Sequence, residues 1–313
     1  MNGAHARRLP DGRLHLQHGP IDCIVQAWGE RGEVEAAYLQ AADAFQDILP
    51  TLVAELPALR APLGAAHPMV GGPVARRMVQ ACLPHRGVFL TPMIAVAGAV
   101  ADELLAALLR GRHLARACVN DGGDIALHLE DGEHFDVGIA FDPNGRHLDG
   151  RLRIGAGDAA RGVATSGWRG RSQSLGIADA VTVLAASGAA ADVAATLIAN
   201  AVNIDHPGIR RLPARDVKED SDLGELPVTV EVPTLPPAEV DAALARGHAL
   251  AVAMRAAGLI EDAFLTLQGR HRAVREAHAE AQGALRSGAL PNHPTPPPAA
   301  AFSPTIPLQG KHA

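Results

Sequence analysis

The 313-residue chain predicts an α+β fold, and three observations carry the prediction. Strand-length apolar runs are separated by turn signals, which reads as antiparallel sheet. Longer segments repeat their apolar residues at helical spacing. Two alanine-rich helical segments also resemble each other, AVADELLAALL at 99–109 and AAADVAATLIA at 189–199. Shared alanine content alone can produce that likeness. The other reading is a duplicated βα unit, with two similar helices against one antiparallel sheet.

The elements follow in order. Residues 13–28 alternate loosely and read as a hairpin or a pair of strands broken at Gly19-Pro20. Over 33–56 the spacing of Val34, Tyr38, Ala41, Phe45, Ile48, Leu49 and Leu52 is helical, and Pro50 is expected to divide or kink the helix. A Pro/Gly stretch over 61–73 precedes a short helix over 74–82, with Pro73 in its first turn. A helix over 93–109 ends at Gly111, and 114–119 is a strand. Residues 125–129 and 135–141 read as two further strands joined by Asp131-Gly132, a hairpin signal. Short strands at 152–154 and 162–165 lead to an apolar strand at 179–185 and a helix at 189–202. After a polar loop at 213–225 come a strand (228–232), a helix (236–257), a strand (263–268) and a charged helix or extension (270–286). From Gly288 the proline density forbids regular structure, so the expectation is one domain over 1–287 and a disordered tail over 288–313.

Composition narrows the function. There are 28 Lys+Arg against 34 Asp+Glu, a net charge of −6, which argues against nucleic acid as partner. With 48% hydrophobic residues but 3% aromatics, the core is built from small and aliphatic side chains, and an aromatic base-stacking platform is not expected. Cys23, Cys82 and Cys118 form no CxxC or zinc spacing and read as inert thiols of a reducing compartment. The N-terminus lacks an apolar signal region. The apolar run at 93–109 carries Asp102 and Glu103, so it reads as a buried helix and not a membrane span. The expected address is the cytoplasm.

Three segments carry candidate chemistry. Asn120-Asp121-Gly122-Gly123-Asp124 places two glycines between strands, where backbone can approach a ligand; Asn120, Gly122, Gly123 and Asp124 are the candidates, and a plain hairpin turn is the alternative. Thr165-Ser166-Gly167, at a strand end, offers two hydroxyls and free N–H groups to a phosphate or flavin edge, or is a polar turn. Asp192 and Thr196 are four apart on a helix, so their oxygens share a face, a donor pair suited to Mg²⁺. Alternatively Asp192 caps its helix and Thr196 bonds back to a carbonyl. The chain has no GxSxG, P-loop or HExxH motif, and its 15 histidines have no ligand spacing.

The ordered series TPMIAVAGAVAD, VNDGGDI, GVATSG, ADAVTVLAA and AADVAAT resembles the ApbE-like flavin transferase superfamily. It is most similar to a side branch, uncharacterised protein family 0280, whose Ser-x-Ser-x-Gly-x-Ala-Asp-Ala-Val segment reads here Ser172 to Val181. The resemblance is strong over 90–203 and weak to about 268. It implies a T-fold-like α+β architecture, helices on one side of the sheet. It also implies Mg²⁺ as cofactor, FAD or FMN as substrate or ligand, and an acceptor protein to which FMN is joined through phosphate at a threonine. On that pattern Asp192 and Thr196 hold the metal with a backbone carbonyl near Ala95, and Gly122, Gly123, Asp124, Thr165, Ser166 and Gly167 line the flavin nucleotide. Two departures stand out. Ala97 replaces the transferases' lysine before Gly98, and Arg171 replaces a histidine of the side branch. Arg169 or Arg171 can supply positive charge but no proton transfer near neutral pH. The resemblance therefore supports binding of a flavin nucleotide or another phosphate-bearing heterocycle more than transfer, and its rival is a ligand-binding or assembly protein that keeps the fold without the chemistry.

Overall fold

Alternating burial sets the first strands. In Leu14–His18 (β2) the residues Leu14 and Leu16 are buried, and in Ile21–Gly29 (β3) Ile21, Cys23, Val25 and Ala27 follow the same two-residue period. The two pair as the expected hairpin, and His5–Arg8 (β1), which the pattern did not announce, adds an edge strand to β2. The computed structural model describes residues 3–64, 68–139, 150–170, 172–219 and 221–275. The proline-rich tail at 288–313, residues 276–286 and Arg171 lie outside the described residues.

Helix α1 runs unbroken over Arg31–Leu59, with Pro50 and Pro57 inside it. The expected division at Pro50 is not made. The buried face continues on both sides of the proline, through Phe45, Ile48 and Leu52, and this packing offsets the roughly 3 kcal/mol of a helix-interior proline. Glu30 caps the start, accepting from the Gly32 and Glu33 N–H groups at 2.9 and 3.2 Å. Pro73–Cys82 (α2) matches the expected short helix. The next helix opens as a 3₁₀ turn over Pro92–Ala95 and continues as Val96–Leu109 (α3). The 92–109 segment is long and apolar enough to cross a membrane, yet half of it is buried within the fold, as the buried-helix reading expects.

Leu114–Asp121 (β4) and Asp124–Leu129 (β5) form a second hairpin. Here one expectation fails. His134–Ile139 (β6) does not pair with β5 across Asp131-Gly132; it pairs with Gly150–Gly155 (β7) in a separate small sheet. The reason is edge occupancy: β4 takes one edge of β5 and Gly162–Ser166 (β8) takes the other. Then come Ala180–Ala185 (β9), Gly188–Ala201 (α4), Arg210–Pro213 (β10), the single turn Ala214–Val217 (α5), Pro227–Glu231 (β11), Pro237–Ala256 (α6) and Asp262–Leu267 (β12). The chain then turns at Gln268-Gly269, both at positive φ, into Arg270–Ala273 (β13). The charged helix or extension expected from 270 is thus corrected to a strand: the backbone reverses within two residues, and β12 offers an open edge.

Among the described residues the main sheet has nine strands, in the order β1-β2-β3-β4-β5-β8-β9-β12-β13, every neighbouring pair antiparallel. One face carries the helices. Leu16, Val25, Leu114 and Val119 pack with α1, α2 and α3 in one cluster, and Val181, Val183 and Leu265 with α4 and α6 in another. On the opposite face Leu127, Leu129, Val163 and Leu184 are covered by the β6–β7 pair through Ile154.

The two alanine-rich helices meet at glycines. A Cβ on Gly98 would stand 2.3 Å from the Gly188 carbonyl oxygen, and one on Gly188 2.9 Å from that of Gly98. Only hydrogen fits between the backbones here. Asp102 of α3 accepts from the Gly188 and Ala189 N–H groups at 2.8 and 2.9 Å, while Asp192 of α4 accepts from the Gly98 N–H at 3.1 Å. Each helix therefore caps the start of the other.

Candidate functional site

A cavity of about 270 Å³ opens beside this helix pair. Its walls are Met93 and Ile94 of the 3₁₀ turn, Val96 and Ala97 of α3, Asp192 and Thr196 of α4, Asp124 of β5, and Thr165 and Ser166 of β8. Arg60, at the C-terminal cap of α1, Ser172, Gln173 and the loop residues Lys218, Ser221, Asp222 and Leu223 complete it. A larger cleft, about 410 Å³, lies at the C-terminal end of α6 and contains none of the residues singled out in the sequence.

Helical spacing brings Asp192 and Thr196 to the same wall. Asp192 does not cap its own helix: Ser187 is the N-cap of α4, its hydroxyl accepting from the Ala190 N–H at 3.2 Å. The Asp192 carboxylate instead reaches across to the first turn of α3. Burial pushes its carboxyl well above the ordinary carboxylate range, and the negative charges of Asp124 and Asp121 push it further, while the N–H groups of Gly98 and Ala97 pull it back. Two carboxylates, Asp124 and Asp192, thus face one small space. A divalent cation would offset that repulsion. The donors are all oxygens, carboxylate and hydroxyl, which suits Mg²⁺, since it takes one or two protein carboxylates and keeps water and phosphate as its other ligands. Among the described residues no group of three or more His, Cys, Asp or Glu side chains is placed to hold a metal, so an all-protein cage is not what this site offers.

Of the glycine segment, Asp124 reaches the cavity. Gly122 and Gly123, at φ +66° and +116°, make the two-residue turn joining β4 and β5, and the Gly123 N–H donates to the Asn120 side chain at 2.8 Å. These three residues shape the turn from which Asp124 projects and are not in the cavity wall. Thr165 and Ser166 line the cavity, Thr165 sharing a 2.9 Å hydrogen bond with Thr182. Gly167 does not line it. A Cβ there would lie 2.3 Å from the Asp179 carbonyl oxygen, so a glycine is demanded by backbone approach. Ala95 is fully buried at the N-cap position of α3, between the lining residues Ile94 and Val96.

Sequence reasoning missed Arg60, Lys218, Ser221 and Asp222. The loop at 213–225 reads as an ordinary polar connection, yet it is tied down on the cavity. The Thr91 hydroxyl donates to Asp222 at 2.5 Å, Gln173 donates to the Ala214 carbonyl at 2.7 Å, and Ser221 donates to Gln173. Arg169 is engaged by Asp179 at 3.2 Å and lies over the Trp168 ring, and it is not among the lining residues. Ala97 lines the cavity, and no histidine does among the described residues. Burial raises the thiol of Cys82 to about 12 and that of Cys118 to about 11, and raises Cys23 strongly, which disfavours their thiolates.

Fold and cavity together define an α+β protein with a pocket at a helix–helix contact that carries carboxylate, hydroxyl and cationic side chains. The family model described as "AbpE bacteria" matches residues 6–273, and the chain belongs to that ApbE-like family, in its UPF0280 branch. A UPF0280 protein of Methanosphaerula palustris is 33% identical over 63% of this chain and 79% of its own length. Those of Methanococcus vannielii (39% identical, 35% of this chain) and Methanothrix thermoacetophila (37%, 42% of this chain) are matched over 44% and 54% of their own lengths. Two solved structures are similar at 14% identity and a TM-score of 0.41 each. One is a variant of the flavin transferase ApbE from Vibrio cholerae (83% of this chain, 96% of that one), the other the Pseudomonas stutzeri flavinyl transferase ApbE in its apo form (91% and 99%).

Proposed function

We propose that this protein binds a flavin nucleotide, FAD or FMN, together with Mg²⁺ in the 270 Å³ cavity. The observation that carries the reading is the meeting of Asp124, Asp192, Thr196, Thr165 and Ser166, from β5, α4 and β8, in the lining of one cavity. Asp192, Thr196 and the backbone near Ala95 would hold the metal, which supplies neutralisation of charge on the phosphates. The hydroxyls of Thr165 and Ser166 orient phosphate or ring oxygens. With FAD bound, attack on the flavin-side phosphorus by an acceptor threonine hydroxyl would join FMN to that protein and release AMP, and attack by water would give free FMN and AMP. Incubation with FAD and Mg²⁺, followed by chromatography, should show FMN and AMP, or FMN on a protein partner. Ala97 in the wall and the absence of a lining histidine among the described residues favour the second reading, a ligand-binding protein without turnover. Under it, calorimetry detects Mg²⁺-dependent FAD binding and chromatography detects no product. Loss of both signals would overturn the flavin reading itself.

We further propose an internal duplication of a T-fold-like unit. The series β2-β3, helices, β4-β5 is followed by β8-β9, helices, β12-β13. The Gly-Ala-x-Ala-Asp of 98–102 and of 188–192 meet and cap each other, as equivalent segments about a two-fold relation would. The expected address remains the cytoplasm, where thiols stay reduced.

A further inference from the structure

The carboxylate side of the pocket accounts for a metal but leaves the anionic ligand without an assigned cation, because Ala97 stands where the resemblance expects lysine. The chain's cationic residues are nearly all arginine: of 28, lysine occurs only at Lys218 and Lys311. Lys218 is the lysine among the described residues, and it lines the cavity. In a chain that uses arginine almost everywhere, a lysine in the pocket wall calls for lysine's own chemistry: a compact ammonium with three rotatable donors, able to follow several phosphate oxygens where a planar guanidinium needs a matched edge.

Its place is built. Lys218 caps the one-turn helix α5, its N–H bonded to the Ala214 carbonyl, and its own carbonyl accepts from the Ser221 N–H at 3.0 Å. The segment is fastened to the cavity on both sides, through Ala214 to Gln173 and through Asp222 to Thr91. The side chain is exposed, so a ligand can reach it from solvent. Arg60 adds a second cation from α1. The lining therefore holds charges of both signs, the carboxylates of Asp124, Asp192 and Asp222 and the cations of Arg60 and Lys218. A metal-bound diphosphate matches that pattern, metal to the carboxylates and remaining oxygens to the cations.

We propose that Lys218 is a phosphate-binding residue of this pocket, gripping the diphosphate of the ligand from the β10–β11 loop. The proposal rests on the flavin-nucleotide reading above.

Magnesium pyrophosphate and FAD serve as probes, titrated calorimetrically into the wild type, Lys218→Met and Lys218→Arg. Lys218→Met should weaken both by about tenfold with an unchanged melting temperature, and Lys218→Arg should recover only part of the loss, because the charge returns without the compact ammonium. Acylation with an amine reagent and peptide mapping gives an independent readout: magnesium pyrophosphate should slow labelling of Lys218 relative to Lys311. If the wild type binds pyrophosphate while Lys218→Met binds it equally and labelling is not slowed, the role of Lys218 is refuted and the flavin reading stands. If the wild type binds neither probe, the flavin reading fails and the Lys218 role falls with it.

Discussion

Asp192 does two jobs that pull against each other. Its carboxylate caps α3 through Gly98, yet it faces Asp124 in a space where burial disfavours charge. Its folded pKa stands above the unfolded value, so the folded state holds the proton more tightly. Its contribution to stability is full below the ordinary carboxylate range and is lost as pH rises through the raised value. In metal-free protein Asp192→Asn should remove that slope and hold or raise the melting temperature near neutral pH, since an amide oxygen still accepts from Gly98. The same variant should lose the stabilisation that Mg²⁺ with FAD gives the wild type, because a neutral amide is a poor partner for a hard cation. Thr196→Val should weaken that stabilisation less. Melting curves at several pH values, with and without Mg²⁺ and FAD, read both effects. An Asp192→Asn protein stabilised by Mg²⁺ and FAD as strongly as wild type would leave Asp192 a cap and nothing more.

At the scale of elements, the α3–α4 contact organises the pocket. Its reciprocal caps need the two backbones close together, and that closeness depends on Gly98 and Gly188. Gly98→Ala would place a methyl group against the Gly188 carbonyl, a clash with backbone that no side-chain rotation relieves. We expect a cost of about 1–3 kcal/mol in urea unfolding. The helices would also separate at the turn that meets Asp192, so ligand affinity should fall along with stability. A Gly98→Ala protein of unchanged stability would mean that the helices have room to shift without penalty. The loop between β10 and β11 is the second organising element. It contributes cavity residues because hydrogen bonds to Thr91 and Gln173 fix it there, not because of any pattern within the loop.

At the scale of the molecule, β13 closes the described sheet at Ala273, and the proline-rich residues from Gly288 have few large apolar groups to bury. A chain ending at Ser287 is expected to melt within about 2 °C of the full protein, roughly the shift that a 1 kcal/mol loss brings in a chain of this size. A drop of several degrees in calorimetry would show that the last residues pack on the domain. The nine-stranded sheet has its shortest seam at β5–β8, where Ile125 pairs with Val163 and Ala126 with Gly162. The α3–α4 contact bridges the same junction, which is why the pocket sits where the two halves of the chain meet.

Local chemistry decided what could be read from residues alone. The hairpin at Gly19-Pro20, the helix announced by Pro73, and the strands at 114–119 and 179–185 follow from spacing and turn residues within a few positions of each other. The shared face of Asp192 and Thr196 follows from the helix period in the same way, and so does the Gly122-Gly123 turn that carries Asp124. Tertiary structure decided the rest, because those outcomes depend on partners far away in sequence. Pro50 stays inside a helix because a buried face spans it. β6 leaves β5 because β8 already occupies that edge. Arg270 enters a strand because β12 leaves an edge open. Lys218 and Arg60 reach the pocket from a loop and a helix end that carry no motif of their own. Asp192 caps a helix 94 residues earlier in the chain instead of its own, a pairing that only close contact between Gly98 and Gly188 makes possible.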